Sequence, residues 1–423
     1  MKNRKLVVLV IALVTIALVA IPVLGACAPK APEKEKVIKV GYLIDLTGPV
    51  SPSLGKNTLA TWLSNYRDAN DKGGINGVRI EVLWEDYAFN VDRAVAAYKK
   101  FKDGGAYIVH PITTLAAEAI TPLATRDKIL VVGNSTTDKL VDPTQWHYTL
   151  DPTYTQMFAN VIDYVKANWK DTSRKPRIAQ IGWDAPLARG HVEVAERYAA
   201  KVGVDVGPWE FIPMIPLDTT PNLLRIRDAK ADYVVLQFGN NVSSVSVLRD
   251  AQKLGIRDKI IWINGFQPTN AAIGNWEAVG DGTLGISDTI FGEETDVPGV
   301  NNLFDTLGKY IAPEAATKKP YFDGTTGLIT RADLVVLETL KRAVSKVGYE
   351  KLDGQAAKDA IETFKDFDMK GLTAPLTYGP TRRQGQSAQR LFKLDFNAKR
   401  WMPSTQWIPS NIQYDEQGKA TFK

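Results

Sequence analysis

Thr113, Thr114, Ser135 and Thr137 are hydroxyl-bearing residues placed just past two short apolar runs. Ala106–Val109 leads into Thr113 and Thr114, and Ile129–Val132 leads into the turn Gly133–Thr137. Short apolar runs that stop at turn residues read as strands buried on both faces. Between them, Leu115–Thr125 is alanine-rich and reads as a helix. In an open parallel sheet, ligands sit outside the carboxyl ends of the strands. Helix N-termini there present N–H groups without intrahelical partners, which suit an anion. Hydroxyls at two successive strand ends therefore predict a site for a small anionic or zwitterionic ligand. The plainer reading is that Thr113 and Thr114 cap the helix and that Ser135 and Thr137 make a turn. The two roles are compatible.

Other chemistry-bearing side chains are scattered. Asp45, Glu85 and Asp86 lie at strand ends, where they would serve either as acid and base of a hydrolase or as loop-holding carboxylates. His110, His147 and His191 are far apart in sequence, a pattern that does not make a transition-metal site. The chain has no phosphate-cradling G-x-x-x-x-G-K-[ST], no H-E-x-x-H and no G-x-S-x-G. Gly104-Gly105 is no dinucleotide fingerprint, so neither a cofactor nor a metal is expected. The formal charge is +5, part of it in Met1–Lys5, and no basic run is interleaved with aromatics. Nucleic acid is therefore not an expected partner.

The N-terminus reads as a targeting segment. Lys2, Arg4 and Lys5 precede an apolar run from Leu6 to Ile21, followed by Leu24-Gly25-Ala26-Cys27. This pattern looks like a bacterial lipoprotein signal. Residues 1–26 would be removed, and Cys27, the only cysteine, would carry the lipid. An uncleaved membrane anchor is the other reading of that run. Both place the remainder outside the cytoplasm. Residues 27–36, rich in Pro, Ala, Lys and Glu, form a solvated tether. The Asn134-Ser135-Thr136 sequon is set aside because the leader looks bacterial.

Strands and helices then alternate. Strands are expected at Val37–Ile44 and Val78–Trp84, with helices at Gly55–Asn70 and up to Phe101, the latter capped by Asn90 or Asp92. After a polar crossing at Asp142–Pro152, a second series begins. It has helices at Thr155–Trp169, Ala188–Val202, Thr220–Ala229 and Ser243–Leu254. Its strands fall at Arg177–Gly182, Trp209–Met214, Tyr233–Phe238 and Lys259–Ile263. They end in Trp183-Asp184, Gly239-Asn240-Asn241 and Asn264-Gly265-Phe266-Gln267, which are polar or aromatic turns suited to the far wall of a cleft. Trp183 and Phe266 would wall such a cleft or pack beneath it. Leu284–Phe291 reads as a further strand, and Asn301–Ile311, Gly324–Val347 and Gln355–Phe364 as helices. Such alternation implies an α/β chain with parallel sheets covered on both faces.

Several stretches resemble one family. Ile38-Lys39-Val40-Gly41, Leu46-Thr47-Gly48-Pro49, Gly55, Lys72-Gly73-Gly74-Ile75-Asn76-Gly77, Trp84-Glu85-Asp86 and Leu372–Pro380 are similar, in order and spacing, to leucine/isoleucine/valine-binding-protein-like solute receptors. Those receptors serve ATP-binding-cassette importers. The resemblance spans residues 37 to 410 and implies two doubly wound parallel-sheet lobes joined by three crossings, the type I periplasmic binding fold. Lobe one would be 37–153 with 288–370, and lobe two 154–287 with 371–423.

It also implies roles. Thr114, with Thr113 beside it, matches the hydroxyl that binds the ligand carboxylate, and Ser135 and Thr137 match the next ligand loop. The acid that grips the ammonium in amino-acid binders has no counterpart in Asn264–Gln267. The tyrosines of lobe two are replaced near Ala188-Arg189 and at Asn241, and the first-loop aromatic by Leu54. These departures separate the chain from standard branched-chain amino-acid binders. Arg189, otherwise a solvated helix residue, would suit a second carboxylate or an aromatic acid. Trp183, Asn241, Asn264, Phe266 and Gln267 complete the expected far wall. The resemblance implies a monomeric, lipid-anchored receptor delivering a small carboxylate-bearing solute to membrane permease subunits. The competing readings are a sensor lobe for short amides or urea, and a secreted hydrolase using Asp45, Glu85 or Asp86.

Overall fold

The computed structural model describes residues 36–51, 55–134, 137–265, 276–290, 294, 296–311 and 324–423, without the side chains of 324–329. The leader, Cys27, most of the tether, Leu54, Ser135, Phe266 and Gln267 lie outside the described residues. No described helix is long and apolar enough to cross a membrane.

Ile38–Lys423 form one unit built on two main sheets, with a small two-stranded sheet of Ile412–Tyr414 and Ala420–Phe422 beside them. The first sheet has strand order β2-β1-β3-β4-β5. Its strands are β1 (Val37–Ile44), β2 (Arg79–Asp86), β3 (Ala106–Pro111), β4 (Leu130–Gly133) and β5 (His147–Thr149). β1, β3, β4 and β5 pair in parallel, with Gly41 opposite Val109 and Val131 opposite His147. Strands buried on both faces need apolar residues at nearly every position, which is why β3 and β4 read as unbroken apolar runs. The helices between them start where side chains can cap them. Asn90 accepts from the Arg93 N–H ahead of α2 (Val91–Asp103), so Asn90, not Asp92, is the cap. α1 is Lys56–Asp71. Thr113 accepts from the Ala116 N–H and caps α3 (Thr114–Asp127).

α4 (Tyr154–Asn168) opens with a capping box, Thr153 and Gln156 bonding reciprocally. It leads into the second sheet. β6 (Arg177–Trp183), β7 (Asp205–Ile212), β8 (Tyr233–Gln237), β9 (Ile261–Asn264), β10 (Leu284–Ser287), β11 (Ala388–Asp395) and β12 (Arg400–Pro403) follow in the order β12-β11-β10-β9-β8-β6-β7. β6 to β10 are parallel neighbours. β11 and β12 are antiparallel, so this sheet carries a mixed edge that the alternation of strands and helices did not announce.

Two expected elements are corrected. The single helix expected over Ala188–Val202 is two, α5 (Pro186–Arg189) and α6 (Val192–Val202). The break falls at Gly190-His191, because His191 is fully buried, its Nε2 2.8 Å from Gln180 Oε1 and its ring stacked on Phe158. The strand expected at Trp209–Met214 runs instead from Asp205 to Ile212, through Pro208. β7 is the edge of the sheet, where a proline without an N–H is tolerated.

After β8 comes α8 (Asn241–Lys253), preceded by α7 (Thr220–Asp228). α9 (Pro298–Tyr310), α10 (Gly324–Val347) and α11 (Gly354–Ile361) return to the first sheet: α9 and α10 pack on α1, and α11 on β3 and β4. A buried polar contact fixes α10 there, since Tyr42 of β1 donates to Asp333 at 2.7 Å and Asn65 of α1 at 2.6 Å. Where the chain passes between sheets, Arg331 of α10 is fully buried against Asp151 and Asp288, both at 3.0 Å.

Candidate functional site

The carboxyl ends of β1, β3 and β4 face those of β6 and β8 across a cavity of about 40 Å³. That is room for a few water-sized groups. Val50, Phe89, Ile112, Thr113, Thr114, Leu115, Asn134 and Tyr154 line one side, and Trp183, Ala185, Pro186, Leu187 and Gly239 the other. Most of this wall is apolar.

The two lips touch. Asn240 Nδ2 donates to the Pro49 carbonyl at 3.4 Å. A Cβ on Gly239 would lie 2.7 Å from the Trp183 ring and 3.4 Å from Val50, so only glycine fits between them. Trp183 is fully buried, donates from Nε1 to Ser243 Oγ at 3.1 Å, and meets Phe238 edge-on. It is a fixed wall.

The polar groups are hydroxyls and one amide. Thr113 Oγ1 accepts from the Ala116 N–H at 3.3 Å and lies 2.6 Å from the Tyr87 hydroxyl. Two hydroxyls joined by one hydrogen bond keep one O–H for a further acceptor. Thr114 Oγ1 lies 2.5 Å from the Tyr154 hydroxyl, at the start of α4. Burial pushes both phenols above their usual range, so they stay protonated donors. α3 aims its N-terminus at the same space, with the Ala116 and Ala117 N–H groups already taken by Thr113. Asn134 is 4 % exposed; its carbonyl accepts from Thr149 Oγ1 at 2.5 Å, and its Oδ1 has no partner. The arrangement can bind a small amphipathic acid: apolar walls for its body, hydroxyls and a helix start for its charge.

Of the residues expected from sequence, the structure brings Thr113, Thr114 and Trp183 into this cavity. Thr137 and Arg189 line a neighbouring hollow of about 430 Å³, separated by Ala185 and Pro186. Thr137 Oγ1 donates to Glu118 at 2.6 Å, and Glu118 pairs with Lys139. Thr137 also presses on the far wall, since a Cβ on Gly190 would come within 2.7 Å of its methyl group. The Arg189 guanidinium pairs with Asp184 and stacks 3.9 Å from the Phe211 ring, about half exposed. The second charge expected in the cleft is thus engaged beside it. Asn241, the first residue of α8, and Asn264, the last of β9, are buried and do not line the cavity; Asn264 Oδ1 is 3.4 Å from Ser244 Oγ.

The acids are structural here. Asp45 accepts from the Gly48 and Val50 N–H groups at 2.6 and 3.0 Å. Asp86 accepts from the Leu46 and Ala88 N–H groups and from Thr47. Glu85 pairs with Lys100 at the surface. Among the described residues, no group of three His, Cys, Asp or Glu could hold a metal ion.

Sequence reasoning passed over Asn134 and Tyr154 as site residues. Tyr154 stands directly after the polar crossing, and Asn134 directly after β4; a polar or aromatic residue at such a junction is the signal that was there.

The cleft between two α/β sheets, with a small cavity at the strand ends, has the form of a clamp-like solute receptor. The periplasmic binding protein family model matches residues 37–399, and the chain belongs to that family. Among solved structures, a branched chain amino acid ABC transporter protein from Thermus thermophilus with bound valine is similar over 89 % of this chain and 97 % of its own, at TM-score 0.76 and 18 % identity. An ABC transporter substrate binding protein from Aeropyrum pernix matches over 88 % and 96 %, at TM-score 0.75 and 21 % identity. A fatty acid ABC transporter substrate-binding protein from Thermomonospora curvata matches over 89 % and 93 %, at TM-score 0.74 and 18 % identity. No curated protein sequence matches the chain.

Proposed function

We propose that this chain is the extracytoplasmic, lipid-tethered substrate-binding protein of an ABC importer, and that it captures a small carboxylate-bearing solute with an apolar body. The observation that carries this reading is the cavity itself. Its wall is apolar apart from Thr113, Thr114, Tyr154 and Asn134, and its hydroxyls gather at the start of α3. The reading is supported by the similar structures named for valine and for fatty acid, since each of those molecules is a carboxylate on an apolar body.

The mechanism is capture. The solute carboxylate binds the hydroxyls of Thr113 and Thr114, at the positive end of the α3 dipole. Trp183, Pro186 and Leu187 then close over its apolar part. Closure is favoured because the shut clamp makes contacts to the solute that the open one lacks. The shut form is what a permease would receive. The hydrolase reading loses its support, because Asp45, Asp86 and Glu85 are engaged in holding loops and a surface ion pair.

The test begins with a thermal-shift screen of small apolar acids, since a ligand that binds only the native state raises its stability. Thr114→Val is then compared with wild type by calorimetry on the best acid. Affinity is expected to fall more than tenfold, while ligand-free stability falls by about 1–3 kcal/mol, the cost of taking a buried partner from the Tyr154 hydroxyl. Unchanged affinity would remove Thr114, and with it the carboxylate grip, from the reading.

A further inference from the structure

The Asn134 side chain is held so that its amide can turn in only one sense. His110, on β3, puts Nδ1 2.6 Å from the Val132 carbonyl. A carbonyl only accepts, so Nδ1 carries the ring proton. Burial pushes the ring down to about 4, which leaves it neutral at physiological pH, with Nε2 a bare acceptor. Nε2 faces Asn134 Nδ2 at 3.4 Å. The amide must therefore give its NH₂ to His110 and turn Oδ1 the other way. The backbone is held as well, by the bond from Thr149 Oγ1 to the Asn134 carbonyl. His110 cannot easily shift, since the rings of Tyr42 and Trp62 pack on it at 5.2 and 5.5 Å. Asn134 is 4 % exposed, lines the apolar cavity, and its Oδ1 is without a partner.

A buried acceptor left unpaired is destabilising, so a solute that meets it with a donor is favoured over one that does not. We infer that Asn134 is a specificity-determining residue that selects solutes carrying an N–H or O–H donor beside the carboxylate, and that His110 is the residue that positions it. This rests on the carboxylate-capture reading and sharpens it. A plain carboxylate leaves Oδ1 unpaired. A carbonyl in the same place sets acceptor against acceptor and is worse. An ammonium or hydroxyl completes the site without any acidic residue on the facing wall.

The experiment uses four probes with one carbon skeleton and one carboxylate: valine, α-hydroxyisovalerate, isovalerate and α-ketoisovalerate. Their affinities for the mature protein are measured by calorimetry. Valine and α-hydroxyisovalerate are expected to bind about tenfold or more tightly than isovalerate, with the keto acid weakest. Asn134→Leu should bring the four to within about twofold of each other, chiefly by weakening the two donors. Asn134→Ala, which only deletes atoms, should do the same and carries the test if the leucine variant does not fold. His110→Phe keeps the ring, removes the acceptor and lets the amide turn, so the keto acid should gain on isovalerate. A merely structural role for His110 would shift all four probes alike. The inference falls, with carboxylate capture intact, if isovalerate or the keto acid matches valine in the wild type, or if the gap survives in both Asn134 variants. If none of the four binds, both fall together.

Discussion

Two buried polar places join the parts of this chain that belong to different sheets, and they are built on opposite plans. In the cleft, the groups are neutral: hydroxyls on Thr113, Thr114, Tyr87 and Tyr154, the amide of Asn134 and a neutral His110. At the crossings, the groups are charged and shut away completely. Arg331 gives Nη1 to the carbonyl and carboxylate of Asp288, and Nη2 to Asp151. Thr373 adds a bond to the Asp288 carbonyl at 2.6 Å, and Gln386 one to its carboxylate. Tyr378 ties the same region to the Thr149 carbonyl at 3.1 Å. Each place leaves one buried polar atom without a partner, the Nε donor of Arg331 at the crossing and the Oδ1 acceptor of Asn134 in the cleft. The difference is that Asn134 lines the cavity, where a solute can reach it, and Arg331 does not. On the proposed clamp reading the crossing is the pivot, held by charges whether or not the cleft is filled.

The largest effect should come from breaking the pivot. Arg331→Met leaves two buried carboxylates facing each other without a cation. Removing one partner of a buried ion pair costs about 3–5 kcal/mol. The ligand-free protein should lose that much in denaturant unfolding. Replacing Asp151 and Asp288 by Asn in the same variant should recover most of the loss, because the stranded charges are then gone. If Arg331→Met unfolds like the wild type, the cluster is not the pivot described here.

Next in size is acid. His110 is held neutral, its pKa pushed by burial from 6.5 down to about 4. Between those values the unfolded chain takes up the proton and the folded one does not, so stability is full above pH 6.5 and falls as pH drops toward 4. Each pKa unit corresponds to about 1.4 kcal/mol, so His110 accounts for up to about 3 kcal/mol of that loss. Urea unfolding at stepped pH should show a shallower fall for His110→Phe than for the wild type. Equal slopes would mean that the ring is protonated in the folded state, and would undo the orientation argued for Asn134.

What could be read from sequence followed the reach of the physics involved. The turn at Thr113 was legible because an apolar strand, a capping hydroxyl and an alanine-rich helix are all local signals. The fold class was legible for the same reason, repeated along the chain. Asn134 was visible only as a polar turn residue, because its meaning comes from His110, 24 positions earlier on the neighbouring strand. Arg331 gave no signal at all: its partner Asp151 is 180 residues away, and a lone arginine in a helix ordinarily lies in water. Pro208 misled in the other direction, since a proline argues against a strand unless the strand is an edge. The helix break at Gly190-His191 was hidden because a buried histidine looks, in sequence, like a solvated one.

The smallest effect separates the cavity from the hollow beside it. Arg189 was expected to offer its charge to the solute, yet it pairs with Asp184 and stacks on Phe211 with about half its side chain in water. It lies beyond Ala185 and Pro186, outside the apolar cavity. A half-exposed pair of this kind contributes little to stability, because water and side-chain entropy offset most of the attraction. Arg189→Gln should therefore leave both melting temperature and affinity for a small apolar acid close to wild type, within about twofold for binding. A dicarboxylate probe is the discriminating case. If the second carboxylate reached Arg189, the variant would lose affinity for the dicarboxylate alone, and the two hollows would have to be counted as one site. If both probes bind the variant as they bind the wild type, selectivity lies with Asn134 and the apolar wall around Trp183.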